Sequence, residues 1–162
     1  MAKIWVYIEP TVSADGAEAK SALTETLKTT IQKMLLGLTS KALPGDKYTA
    51  NPTDKPSGIS ETYNAMKVSP AVKLKVESRG SMLKVACDLK MVFEAIKTPG
   101  TKNGNLLGSG SKGAAAENRG SGERAIANSA ADALDAIVEP LVKQVMTNLQ
   151  FKSYSKQVGL PV

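Results

Sequence analysis

Few side chains in this sequence combine into a constellation that does chemistry. The run GSGSKG at 108–113 has the spacing G-x-G-x-x-G, in which bare backbone can cradle a pyrophosphate at the start of a helix. That use requires the glycines to join a strand directly to a helix. Here Ala114, Ala115 and Ala116 follow, the next helix cap is Ser121, and Asp132 falls inside a helical segment instead of ending a strand. The run therefore reads as a strand of small residues that lets a helix or a partner come close, and no cofactor is expected. Neither a G-x-x-x-x-G-K-[ST] phosphate loop nor a G-x-S-x-G nucleophile elbow occurs.

Histidine is absent, which removes the usual general base and the usual zinc ligand together. Cys87 is the single cysteine, so no intrachain disulfide can form. It sits at an inward position of a strand pattern, which predicts a buried structural thiol. The acids Asp132, Asp135 and Glu139 recur at helical steps of three and four, which reads as a solvated helix face, and no metal site is expected. Nothing in the sequence argues for an enzyme. Anion binding is the remaining site chemistry. FKSYSK at 151–156 interleaves aromatics with bases, as single-stranded nucleic-acid platforms do. With Lys97, Lys102, Lys112, Arg119 and Arg124, its Lys152 and Lys156 define a candidate anion-binding surface.

The elements that must position these residues follow from the apolar periods. The firmest is a helix over 121–149, where Ile126, Ala130, Ala133, Leu134, Ile137, Leu141, Val145 and Leu149 form one stripe. It would be a rod of about 40 Å. Ser121 is its expected N-cap, and Pro140 is expected to bend or break it one turn earlier. At the other end of the chain, 3–8 reads as a strand ended by Pro10. A helix follows, with Asp15 and Glu18 as a capping box and Ala22/Leu23, Leu27, Ile31, Met34/Leu35 and Leu38 on its apolar face. Residues 43–60, rich in proline and glycine, read as a long loop. After it, either Ser60 caps a short helical turn or 63–68 forms an edge strand. Residues 71–78 alternate cleanly, Arg79-Gly80 is a tight turn, and 81–97 returns with Leu83, Val85, Cys87, Leu89, Met91, Phe93 and Ala95 on one face. A turn-forming loop at 98–105 precedes the small-residue strand at 106–117.

This order, β-α-loop-β-β-β-α, predicts an α+β fold: a sheet of about four strands, antiparallel or mixed, with two long amphipathic helices packed on one face. The expected organisation is a single domain over 1–150 with a C-terminal tail over 151–162. A chain of 162 residues buries an adequate core without disulfides or metals. Net charge is +6, but it is spread: residues 125–142 hold three acids and no base, and 143–162 three lysines and no acid. That spread favours solubility over a concentrated nucleic-acid stripe. No apolar run reaches the ~20 residues of a membrane helix. No signal peptide is visible, so the expected location is the cytoplasm, or outside it as part of a released assembly. It would be the periplasm if a signal had been removed.

The combination of KIWVYIEP, a long amphipathic helix, the hairpin KLKVESRG…LKVACDLKMVFE, the strand LLGSGSKGAAA and the helix RAIANSAADALDAIVEPL resembles the small α/β domains of bacterial cell-envelope accessory lipoproteins. These are the type found in penicillin-binding-protein activators and curli-secretion components. The resemblance implies a non-catalytic domain that docks on other proteins or assembles, although the lipidated cysteine of those families is missing. The expected function is a non-enzymatic protein–protein interaction or assembly module with a protein partner or self-association. The alternative is a binder of nucleic acid or another polyanion through the basic loop and tail.

Overall fold

The computed structural model describes residues 4–43, 48–50, 64–96 and 105–157. In chain order these form β1 (Ile4–Ile8), β2 (Thr11–Ala14), α1 (Ala17–Ala22), α2 (Glu25–Ala42), β3 (Tyr48–Ala50), β4 (Asn64–Arg79), β5 (Met82–Ile96), β6 (Asn105–Arg119), α3 (Glu123–Met146) and α4 (Leu149–Gln157). The strands make one mixed sheet in the order β3-β1-β4-β5-β6, with β2 also pairing β4. The fold is therefore α+β, as expected. Because β1 and β2 pair successive halves of β4 in parallel, the sheet has four long rows plus the short β3.

Its backbone is the hairpin of β4 and β5, paired over its whole length from Ala65↔Ile96 to Arg79↔Met82. The turn between them holds Gly80 at φ 61, a conformation glycine adopts without a Cβ clash. The strand alternative for residues 63–68 holds from Asn64 onward, but as part of a central strand and not an edge. β4 lies between β1/β2 and β5. Pro70 interrupts neither partner. It stands level with the Glu9-Pro10 gap between β1 and β2, where Ile8 has paired Val68 and Thr11 has yet to pair Ala71. The missing N–H thus falls where the parallel ladder lapses.

All four helices pack on the sheet face that carries Val6, Val12, Val72, Leu74, Val85 and Leu89. α2 contributes Leu27, Ile31 and Leu35, and α3 contributes Ile126, Ala130, Leu134, Ile137, Leu141 and Val145. Burying each of the larger aliphatic side chains stabilises by about 1.5–3 kcal/mol. The buried face of α3 is wider than one stripe, and Ala125, Ser129, Val138 and Val142 are buried too, because this helix meets both the sheet and α2.

Several expectations are corrected at element ends. The first helix is two. The N-cap of α1 is Gly16 without a side-chain cap, and the Glu18 carboxylate accepts a hydrogen bond from Ser78 instead of closing a capping box. Asp15 is still bound to the sheet, its N–H donating to the Leu74 carbonyl. The chain leaves helix at Leu23 and restarts at Thr24, whose Oγ1 accepts from the Leu27 N–H. Ser121 is not a cap, since Gly122 at φ 85 takes that place. α3 runs unbroken through Pro140. Pro140 and Ala136 are both exposed, so the carbonyl that loses its partner faces water. α3 ends at Met146. Leu149, expected on its buried stripe, is 79% exposed on the new helix. The tail is helical through Gln157, and Phe151 packs edge-on against Phe93 at a centroid distance of 5.8 Å. Most of the 43–60 loop and the turn at 98–104 lie outside the described residues.

Candidate functional site

The small-residue strand is where packing and exposure meet. On its helix-facing side, β6 presents Gly108 and Gly110 beneath the C-terminal turns of α3. A Cβ at Gly108 would stand 3.0 Å from Val145 Cγ1 and 3.3 Å from the Val145 carbonyl oxygen. At Gly110 it would stand 3.0 Å from Leu141 Cδ1. GSGSKG is thus strand backbone on which a helix rests, not a loop opening a helix. Near the other end, the Asn118 Nδ2 donates to Ser129 Oγ at 2.9 Å and to Asp132 Oδ2 at 3.3 Å, tying strand to helix across the sheet margin.

β6 is also the last strand of the sheet. Its pairing with β5 runs from Met82↔Arg119 to Ala95↔Asn105, with one irregularity at Phe93/Glu94. Among the described residues nothing pairs its other side. A 15-residue edge extends about 50 Å and offers a row of unpaired backbone donors and acceptors. Ser111, Gly113 and Ala115 are exposed there as small residues, and the longer Lys112 side chain is exposed between them. Lys112, in register with Leu89, makes no ion pair among the described residues.

The sheet face away from the helices is polar. Ser13, Lys73, Asp88, Lys90, Ser111 and Gly113 line a shallow trough of about 480 Å³ across β2, β4, β5 and β6. The trough mixes lysines with a carboxylate. Cys87 lies on the opposite face, fully buried. Burial, and secondarily the Asp88 carboxylate, pushes its thiol up to about 12, so it is a neutral packing group at physiological pH. Among the described residues no three acid or cysteine side chains converge as metal ligands, and no helix is long and apolar enough to cross a membrane.

The seven basic residues singled out from the sequence are dispersed where they can be placed. Arg119 and Arg124 flank the β6–α3 turn, while Lys112 lies halfway along the edge strand. Lys152 is exposed on α4 and Lys156 belongs to the same helix, beyond the far end of α3. The 24 residues of α3 set those two ends about 36 Å apart. Lys97 and Lys102 lie outside the described residues. What sequence reading missed is that β6 is an edge and that Asn118 links it to Asp132. Asn118, an amide two residues beyond the run Ala114-Ala115-Ala116, is the one signal that pointed there.

No family model matches the sequence, and no curated protein matches it. Solved structures of similar fold do exist. A neuraminyllactose-binding hemagglutinin homolog from Helicobacter pylori shares 14% identity at a TM-score of 0.55, over 98% of this chain and 89% of that one. A protein of the DUF330 family from Xanthomonas campestris shares 11% at 0.54, over 96% and 89%. A minor lipoprotein from Acinetobacter baumannii shares 10% at 0.38, over 92% and 94%. At these identities the likeness is one of fold. The first two share this chain's fold, and no particular family follows from that.

Proposed function

We propose that this chain is a non-enzymatic protein-interaction module, a subunit or accessory part of a larger bacterial assembly, and that it joins its partner through the edge of β6. The observation that carries the reading is the 15-residue strand with one side unpaired among the described residues. Long open edges invite strand addition, and backbone hydrogen bonds then supply affinity. Here the small exposed residues let a second backbone approach. The polyanion reading has less support, because those of its basic residues that are described are not gathered on one surface.

The test is the double substitution Ser111→Lys with Ala115→Lys. Both residues are exposed on the strand, so the core is untouched, and lysines on an edge oppose strand pairing. The wild-type mass by light scattering, and the proteins it retains on a column, should both depend on that edge. Unchanged mass and unchanged capture in the variant would refute the role of β6. Retention of nucleic acid that moderate salt removes would instead favour the polyanion reading.

A further inference from the structure

We infer that the occupant of the β6 edge is a second copy of this chain, paired antiparallel about a two-fold axis at Ala115. This rests on the reading of β6 as the interaction edge and names its partner. A two-fold pair that keeps both helix layers on one side of a continuous sheet sets residues of like parity opposite each other. Any residue of β6 can then be the centre, and the charges choose among them. Centring on Lys112 puts lysine against lysine. Centring on Gly113 or Ala114 puts Lys112 opposite Ala114 or Ala116 of the second copy, neither of which holds a carboxylate on the helix side as Asn118 does.

Centring on Ala115 places Lys112 opposite Asn118 of the second copy, on the helix side. There Asn118 already holds Asp132, whose Oδ2 lies 3.3 Å from its Nδ2. Directly opposed residues have Cα atoms about 4.5–5.5 Å apart, so a lysine side chain reaches past the amide to that carboxylate. Asp132 is exposed, and Lys112 has no ion partner of its own among the described residues. The exchange is reciprocal, giving two Lys112–Asp132 pairs. On the other face Glu117 comes opposite Gly113 of the second copy, with Lys84 of its own chain directly beside it on β5. Ala114, Ala115 and Ala116 fill the centre, so nothing bulky separates the two backbones.

The full chain is tested by sedimentation equilibrium and by cross-linking. The wild type should dimerise. Lys112→Glu and Asp132→Lys should each weaken the dimer about tenfold, since each replaces two attractions by two repulsions, and the double variant should recover most of the loss. An Ala115→Cys variant should form a disulfide dimer under oxidised glutathione, because its two copies meet on the axis. A Ser111→Cys variant should not, because the two positions lie about 26 Å apart in this register. A monomeric wild type with no Ala115→Cys cross-link overturns the inference, as do single variants that dimerise normally. An assembly larger than a dimer that Ser111→Lys/Ala115→Lys abolishes would overturn the two-fold pairing and leave β6 as the interaction edge. Failure of that edge pair to change either mass or capture would remove the underlying reading itself.

Discussion

Three glycine-to-alanine substitutions should separate into three signs. At Gly108 the new Cβ would lie 3.0 Å from Val145 Cγ1, 3.2 Å from Asn148 Cβ and 3.3 Å from the Val145 carbonyl oxygen. The last of these is helix backbone, so relief requires α3 to lift from the sheet. Overpacking of this kind costs about 1–3 kcal/mol, while losing a glycine from a strand returns about 0.5–1 kcal/mol. Gly108→Ala should therefore destabilise by up to about 2.5 kcal/mol. At Gly113 the nearest atom is the Asp88 Oδ1 at 3.0 Å, the free end of a side chain that can swing into solvent. That substitution should be neutral or stabilise by less than about 1 kcal/mol. Gly37 lies exposed within α2 with nothing within 4 Å, so Gly37→Ala should stabilise by about 0.5–1 kcal/mol. Urea midpoints at a shared slope measure all three. For a chain of 162 residues the Gly108 effect corresponds to a fall of up to about 10 °C in Tm. A Gly108→Ala variant as stable as the wild type would mean that α3 does not rest on β6.

The raised Cys87 thiol makes a pH prediction. Its folded pKa lies above its unfolded one, so the stabilisation is complete below the ordinary thiol range and is lost as pH rises towards about 12. One pH unit above the unfolded value the loss is about 1.4 kcal/mol, and a Cys87→Ala variant compared by urea titration across that range should lack it. Equal slopes for both proteins would contradict burial of the thiol. Phe151→Ala removes a side chain only 3% exposed that packs edge-on against Phe93, and should cost about 3 kcal/mol. Limited proteolysis should then cut within α4, and an unchanged cleavage pattern would count against its docking. Thr39 carries a fully buried Oγ1 with no hydrogen-bond partner among the described residues. Thr39→Val keeps the shape and deletes the orphan hydroxyl, so thermal melting should show a gain of about 1 kcal/mol, whereas a loss would reveal a partner for that oxygen.

Local periodicity made much of the fold legible. The alternation at Val72, Leu74 and Val76, and again from Leu83 to Phe93, marks the inward face of the hairpin because side-chain direction in a strand has a period of two. The apolar stripe from Ile126 to Val145 marks α3 for the corresponding helical reason. Even the meaning of the glycines in GSGSKG was readable, since their spacing from Ser121 denied them a helix to open. Helix ends were less legible. Asp15 and Glu18 have capping-box spacing, yet the sheet holds the Asp15 N–H and Ser78 engages Glu18. A four-residue motif carries no information about such distant partners.

The candidate site was the least legible part. Sequence by itself determined which residues of the hairpin face inward, that a small-residue strand precedes a long helix, and that no histidine exists to activate Cys87. Tertiary structure alone decided that β6 is the margin of the sheet, that Pro70 falls level with the Glu9-Pro10 gap, and that Asn118 brings Asp132 to the margin. The physical reason is range. Periodicity reports the side-chain environment of one element, whereas strand order, and with it the choice of unpaired edge, is set by contacts between residues far apart in the chain.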